Sequence, residues 1–139
     1  MKIHKVSLNN NIELLEYFIS NLGIASQSFR YFNHRPISVI QNHLATFLLI
    51  NNNIPVAYGH LDKEGKNIWL GVCVMPEHSG KGYGKVMMKK LLDEARNLNL
   101  SQIILTVDKD NYKAINMYEK FNFFKIEEEK YCYKYQYEL

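Results

Sequence analysis

Apolar positions follow two rhythms in this chain, and they meet near its middle. Ile68 to Met75 is almost wholly apolar and carries β-branched residues. Such a run predicts a strand covered on both faces. Pro76 has no N–H for a sheet ladder, so the strand is expected to end near Met75. Further on, Met88, Leu91, Leu92, Ala95 and Leu98 recur at three- and four-residue spacing, with Lys89, Asp93 and Arg96 on the other side. That is the pattern of an amphipathic helix. Between strand and helix lies Ser79-Gly80-Lys81-Gly82-Tyr83-Gly84-Lys85, a tight glycine-rich turn.

The flanking segments read more simply. Lys2 to Val6 is a short candidate strand. Asn9 to Asn11 can cap a helix over 11–22, whose stripe is Leu14, Leu15, Phe18 and Leu22 and whose stop is Gly23. Ser26 to Pro36 is aromatic and basic without a clear period, and a second short helix is predicted from Ile37 to His43. Ala45–Ile50 and Ile54–Leu61 form a hairpin across Asn51-Asn52-Asn53. A second turn, Asp62 to Lys66, leads into the Ile68 strand, so three antiparallel strands deliver the chain to the glycines.

Gln102–Val107 is apolar on both faces and reads as a central strand. A helix follows from Asn111 to Phe121, then a strand from Phe123 to Ile126. Tyr131, Tyr133, Tyr135 and Tyr137 alternate with polar or small residues, a period-two strand with one aromatic face. A tyrosine row can stack on a ligand, but more often it packs a sheet face.

Composition narrows the class. A chain of 139 residues with 47% hydrophobic content predicts one domain, 1–139, with a proper core. The net charge of +3 is mild and the basic residues are scattered, which argues against a nucleic-acid partner and suits a small polyanion. Cys73 and Cys132 are too far apart in the chain for a CxxC pair, so neither a disulfide framework nor a metal site is expected. The start, Met-Lys-Ile-His-Lys, lacks the apolar core of a leader, and no apolar run reaches membrane-spanning length. A cytoplasmic protein without membrane association is expected.

Glycines at a strand-to-helix junction let a ligand approach the backbone closely. The first N–H groups of the helix then point at that ligand, and the helix dipole favours an anion. Lys81 and Lys85 add positive charge at the same end. The turn does not match the P-loop, because Gly82 is followed by Tyr83. It also lacks the spacing of a dinucleotide fingerprint.

Val72-x-Val74-x-Pro76-x-x-Ser79-x-x-Gly82-x-Gly84 resembles the first motif of the GCN5-related N-acetyltransferase superfamily. Leu105-Thr106-Val107, followed by Asn111, Ala114-Ile115 and Tyr118-Glu119-Lys120-Phe121-x-Phe123, is similar to its second. Both motifs in order, with a helix and a strand between them, are highly specific. The resemblance implies an α+β, three-layer fold. Its mixed, mostly antiparallel sheet of six to seven strands would be flanked by about four helices.

The implied chemistry is acetyl transfer from acetyl-CoA to an amine without a covalent enzyme intermediate. Gly80, Lys81, Gly82, Tyr83, Gly84 and Lys85 would hold the pyrophosphate. Val72, Cys73 and Val74 would pair with the pantetheine arm where the sheet splays, the Val74 N–H acting as oxyanion donor. Asn111 would bind the arm as well as cap its helix, and Tyr118 would protonate the departing thiolate. The chain departs from the usual pattern at Ser79, at Thr106, where many relatives carry a glutamate base, and at Asn122 in place of glycine. Asn tolerates the left-handed cap required there.

The base is not named by the motifs. His60, at the end of a predicted strand, has a suitable reference pKa; Asp108 and a water chain are alternatives, and Glu77 and His78 read as solvated. For the acceptor, the segment around Arg30, Tyr31, His34 and Arg35 is either a loop closing over the core or the acceptor wall. With no large acidic patch, a small amine is expected, such as an amino sugar or sugar nucleotide. A protein or peptide amine is the alternative, as is a non-catalytic acyl-CoA-binding module. The chain can serve as a monomer or a homodimer.

Overall fold

The computed structural model describes residues 1–139. Four strands run antiparallel in sequence order: β1 (Lys2–Lys5), β2 (His43–Asn51), β3 (Ile54–Glu64) and β4 (Asn67–Val74). The hairpin between β2 and β3 turns at Asn52 and Asn53, both at positive φ (52° and 64°), a conformation Asn adopts at little cost. After β4 come α2 (Tyr83–Asn97) and β5 (Gln102–Asp108), which lies parallel to β4. Parallel neighbours need a crossover, and α2 supplies it. Helix α3 (Tyr112–Lys120) leads to β6 (Phe124–Glu128) and β7 (Cys132–Glu138). Strand β7 inserts between β5 and β6, so the seven-stranded sheet has the order β1-β2-β3-β4-β5-β7-β6. Helix α1 (Ile12–Ser20) and short 3-10 turns at Gly23–Gln27, Ile37–Asn42 and Pro76–His78 complete the chain. This is the mixed, mostly antiparallel layered fold that the resemblance implies.

The sheet buries a core on each face. One holds Met87, Met88, Leu91 and Leu92 of α2 against Phe47, Ala57, Leu70 and Ile103. The other holds Leu15 and Phe18 of α1 against Leu48, Tyr58 and Cys73. The aromatic segment closes this second core: Phe32 is buried in it, with Phe29 and Tyr31 packed at its edge.

Some local expectations are corrected. Strand β3 runs on past Leu61 to Glu64, because Asp62 to Glu64 keep pairing with Asn67 to Trp69. Strand β4 ends at Val74, where the Pro76 stop places it. Helix α1 stops at Ser20, with Asn21 rather than Gly23 at its cap. Asn11 does not cap α1 by its side chain; it sits at φ 64° and its Nδ2 donates to the Lys5 carbonyl. The short helix after Pro36 is a 3-10 turn. Asn122 takes the left-handed conformation (φ 71°) expected of it. Tyr135 is buried and donates to Glu119, so the middle of the tyrosine row packs against α3.

Candidate functional site

Strands β4 and β5 pair at a single register position, Trp69 with Ile104. Beyond it they diverge, and a cleft of about 980 Å³ opens between their C-terminal ends. That volume is at the top of the range for small-molecule sites. The edge of β4 facing the gap has free backbone groups. Met75 N donates to the Val56 carbonyl at 2.9 Å. Antiparallel residues alternate, so Val72 and Val74 turn their N–H and C=O groups away from β3 and towards β5. Val72, Cys73 and Val74 all line the cleft, although Cys73 buries its side chain in the α1 core.

The glycine turn forms one end of the cleft. Gly82 is the N-cap of α2 at φ 83°, a conformation open to glycine without strain. No side chain caps this helix, so its first N–H groups remain for a ligand. Gly80, Gly82, Tyr83, Gly84 and Lys85 line the cleft; Lys81 does not and points to solvent. Tyr83 is held by Asn51 Nδ2, which donates to its hydroxyl at 3.0 Å. His78 is not the solvated residue expected. It is half-buried, with Nδ1 sealed from solvent and unpartnered.

Across the gap, Asn111 caps α3 by accepting from the Ala114 N–H at 3.3 Å, and it also lines the cleft. Tyr118 is 7% exposed and packs on Phe123, with ring centroids 5.9 Å apart. Its hydroxyl makes no hydrogen bond within the protein, and burial pushes its pKa up, so it stays protonated. Lys113, Met117 and Lys120 line the same wall and were missed from the sequence. Their i, i+4, i+7 spacing on α3 was the available signal.

The opposite end is built by the aromatic segment. Arg30 makes a two-pronged ion pair with Asp108 at 2.9 and 3.0 Å, spanning the mouth of the cleft. It is therefore already paired rather than free for a substrate anion. Arg35 lies 4.3 Å above the Tyr31 ring and lines the cleft. His34 is exposed and lies outside the cleft lining, so its expected role in the acceptor wall is dropped. The Tyr31 hydroxyl donates to Asp62 at 2.8 Å and lies 2.6 Å from His43 Nε2; His43 Nδ1 lies 2.8 Å from the Thr46 hydroxyl. His60 is not at a strand end. It sits mid-strand, 2% exposed, with Nδ1 2.6 Å from the Tyr58 hydroxyl. His43, Tyr58 and Asp62 had no periodic signal in the sequence.

Burial shapes the titration of this end. It pushes His43 down to about 4, with Asp62 opposing, and lowers His60 in the same direction. Unfolded, both imidazoles titrate near 6.5. Above that pH neither state binds the protons. As pH falls from about 6.5 to about 4, the unfolded chain binds protons that the folded one refuses. Stability should therefore be lost through that window, by up to about tenfold in the folding equilibrium per pH unit for His43, with His60 acting in the same direction. Urea midpoints at pH 7 and pH 4.5 should differ less for His43→Gln than for the wild type.

The cysteines are also set by their surroundings. Burial pushes Cys73 up to about 12. A hydrogen bond to Glu129, and then burial, push Cys132 to about 11. At pH 8 the thiolate of Cys73 is then about one part in ten thousand. A colorimetric thiol reagent at pH 8 should find almost no fast-reacting cysteine in the folded protein and two after denaturation. A fast reaction of one thiol would contradict one of the two environments, and of two thiols both.

The splayed strands, the uncapped glycine turn and a buried tyrosine line one cleft. The chain matches the acetyltransferase (GNAT) family over residues 12–123 and belongs to it. Its class is that of an acyl-CoA-dependent N-acetyltransferase. It is 25% identical over 125 residues to a spermidine N(1)-acetyltransferase of Vibrio cholerae, covering 84% of this chain and 69% of that protein. Over 56 residues it is 39% identical to a thialysine N-epsilon-acetyltransferase of Mus musculus, covering 40% of this chain and 33% of that one. The fold matches a GNAT-family acetyltransferase from Streptococcus pneumoniae at TM-score 0.80, with 15% identity and 99% of both chains covered. It also matches a Salmonella typhimurium protein solved with its cofactor acetyl-CoA, at TM-score 0.77 and 15% identity, covering 100% of this chain and 94% of that one.

Proposed function

We propose that this protein moves an acetyl group from acetyl-CoA to the primary amine of a small molecule by direct attack. The observation that carries the reading is the single-position pairing of β4 with β5. It leaves the N–H groups of Val72 and Val74 facing a cleft that ends at the uncapped N-terminus of α2. This fits a long donor with a polar arm and a pyrophosphate. When bound, acetyl-CoA supplies a thioester, an acyl group activated towards amines. The curated relatives named above act on small amines by their names, which supports the acceptor class.

In this reading the backbone of Gly80, Lys81, Gly82, Tyr83, Gly84 and Lys85 binds the pyrophosphate at the positive end of the helix. The Lys85 side chain adds charge there; that of Lys81 does not. Val72, Cys73 and Val74 hold the pantetheine arm as a neighbouring strand would, with Asn111 on its other side. The Val74 N–H, which its β3 pairing leaves free and turned into the cleft, stabilises charge on the thioester oxygen. Tyr118 gives its proton to the departing sulfur. The acceptor enters at the end of the cleft that Arg30, Tyr31, Arg35 and Trp69 line. Its ammonium must shed a proton before attack. Asp62 and Asp108 already accept from Tyr31 and Arg30, and Glu64 is an exposed residue at the cleft's edge, so in this reading water in the cleft relays that proton to bulk solvent.

Thermal unfolding with and without acetyl-CoA tests this directly. Ligand at about 100 times its dissociation constant stabilises by about 2.7 kcal/mol. For 139 residues, at about 2.1 cal/mol/K each, the midpoint should rise by roughly 9 °C. ATP at equal concentration should give a much smaller rise. No rise with millimolar acetyl-CoA would withdraw the reading. Binding without turnover of any amine would make this an acyl-CoA-binding module.

A further inference from the structure

The acceptor end of the cleft is floored by a cluster of rings that the reaction above does not use. The ring centroid of His60 lies 4.4 Å from that of Tyr31, 4.6 Å from that of His43 and 5.4 Å from that of Tyr58. The ring lies over Gly71, where a Cβ would stand 2.5 Å from Nε2. Only a residue without a side chain leaves that space. The imidazole thus fills the place where a β4 side chain would project, and both His60 and Gly71 line the cleft.

The hydrogens of this cluster follow from counting donors and acceptors. The Tyr58 hydroxyl is fully buried, and its one hydrogen-bond partner is His60 Nδ1 at 2.6 Å. A buried O–H without an acceptor is costly, so it donates to Nδ1. Burial keeps the imidazole neutral, with His43 and Arg35 adding to the effect. A neutral ring that accepts at Nδ1 carries its hydrogen at Nε2. Nε2 has no partner within the protein and is not sealed from the cleft.

We propose that His60 donates a hydrogen bond from Nε2 to an oxygen of the acceptor, and that Tyr58 is the positioning residue that fixes this tautomer. His60 is then not the base expected from the sequence. A donor aimed at the attacking nitrogen would tie up its lone pair, so the group His60 meets is an oxygen beside the amine. Arg35 on the same wall supplies positive charge. Of the three carboxylates that line the cleft, Asp62 accepts from Tyr31 and Asp108 is paired with Arg30, leaving Glu64 against the charges of Arg35, Lys85, Lys113 and Lys120. Together these favour a carboxylate, and hence an amino acid as acceptor rather than a simple amine. The inference rests on the cleft being an amine-acetylating site.

Long-range proton–nitrogen spectra of histidine-labelled protein read the tautomer without any activity. His60 should show a protonated Nε2 and a bare Nδ1 at pH 7. Tyr58→Phe should give a mixture. A protonated Nδ1 in the wild type overturns the proposal. Kinetics with matched pairs, an amino acid and its decarboxylated amine, test the substrate. The wild type should favour the amino acid by about 10- to 100-fold, the usual worth of a hydrogen bond to a charged group. His60→Leu should lose that preference, the ratio of kcat/KM for the amino acid over its decarboxylated amine falling to about one. Equal use of both members by the wild type overturns the carboxylate assignment. No turnover with any acceptor overturns the acetyl-transfer reading itself, and the substrate assignment with it, whatever the spectra show.

Discussion

Tyr118→Phe should lower kcat by about 100- to 10,000-fold, the usual worth of a positioned acid, with little change in KM for acetyl-CoA. The hydroxyl makes no hydrogen bond to the protein, and the ring is held by packing against Phe123. Phenylalanine keeps that packing, so the melting temperature should stay within a degree or two. Burial raises the phenol's pKa. The same dry surroundings raise the proton affinity of a departing thiolate, so transfer between two groups with reference values near 10 and 8.5 stays nearly balanced. Steady-state kinetics beside a thermal melt decides the matter. An unchanged kcat would make Tyr118 a packing residue only. A lower kcat with a melt several degrees lower would mean its role is structural.

Leu91→Ala should cost about 2–5 kcal/mol of stability, which for a chain of 139 residues lowers the melting temperature by roughly 7–17 °C. Leu91 is 0% exposed at the centre of the core that seats α2 on the sheet. Strand β3 offers Gly59 beneath it; a Cβ there would lie 2.9 Å from Leu91 Cδ1 and 2.6 Å from Met87 Cγ. Helix and strand are therefore in close contact, and surrounding atoms can do little to fill the void. Because α2 carries the glycine turn at its N-terminus, loosening it should also weaken acetyl-CoA binding. Urea unfolding followed by circular dichroism measures the first effect and titration calorimetry the second. A loss below about 1 kcal/mol would mean that the core repacks.

How much could be read in advance differs between the two ends of the cleft. Hydrophobic period set the strands leading to the glycines, the helix after them and the central β5, within a few residues. Where a boundary was wrong, the ladder overrode local signals. Strand β3 extends through polar Asp62 to Glu64 because β4 lies beside it. At Asn11, the pull of the Lys5 carbonyl on the side chain replaced the expected cap. The insertion of β7 between β5 and β6 left no local trace either, since strand order depends on pairing partners rather than on period.

By itself the sequence determined the donor side. In the proposed reading that side is made of contiguous pieces, 72–85, which offers backbone groups, and 105–121, which brings the Asn111 and Tyr118 side chains. Glycine, proline and the helix start dictate backbone conformation locally, so the chemistry is written in order along the chain. For the proposed acceptor side the sequence offered candidate residues, and tertiary structure decided how they are joined. Arg30 meets Asp108 across 78 residues of chain, and Tyr31 reaches Asp62 across 31. His60 comes to the cleft only because Gly71, its cross-strand partner, has no side chain. Those contacts depend on register between distant strands and on space left by a missing atom, and neither has a period that a sequence can display.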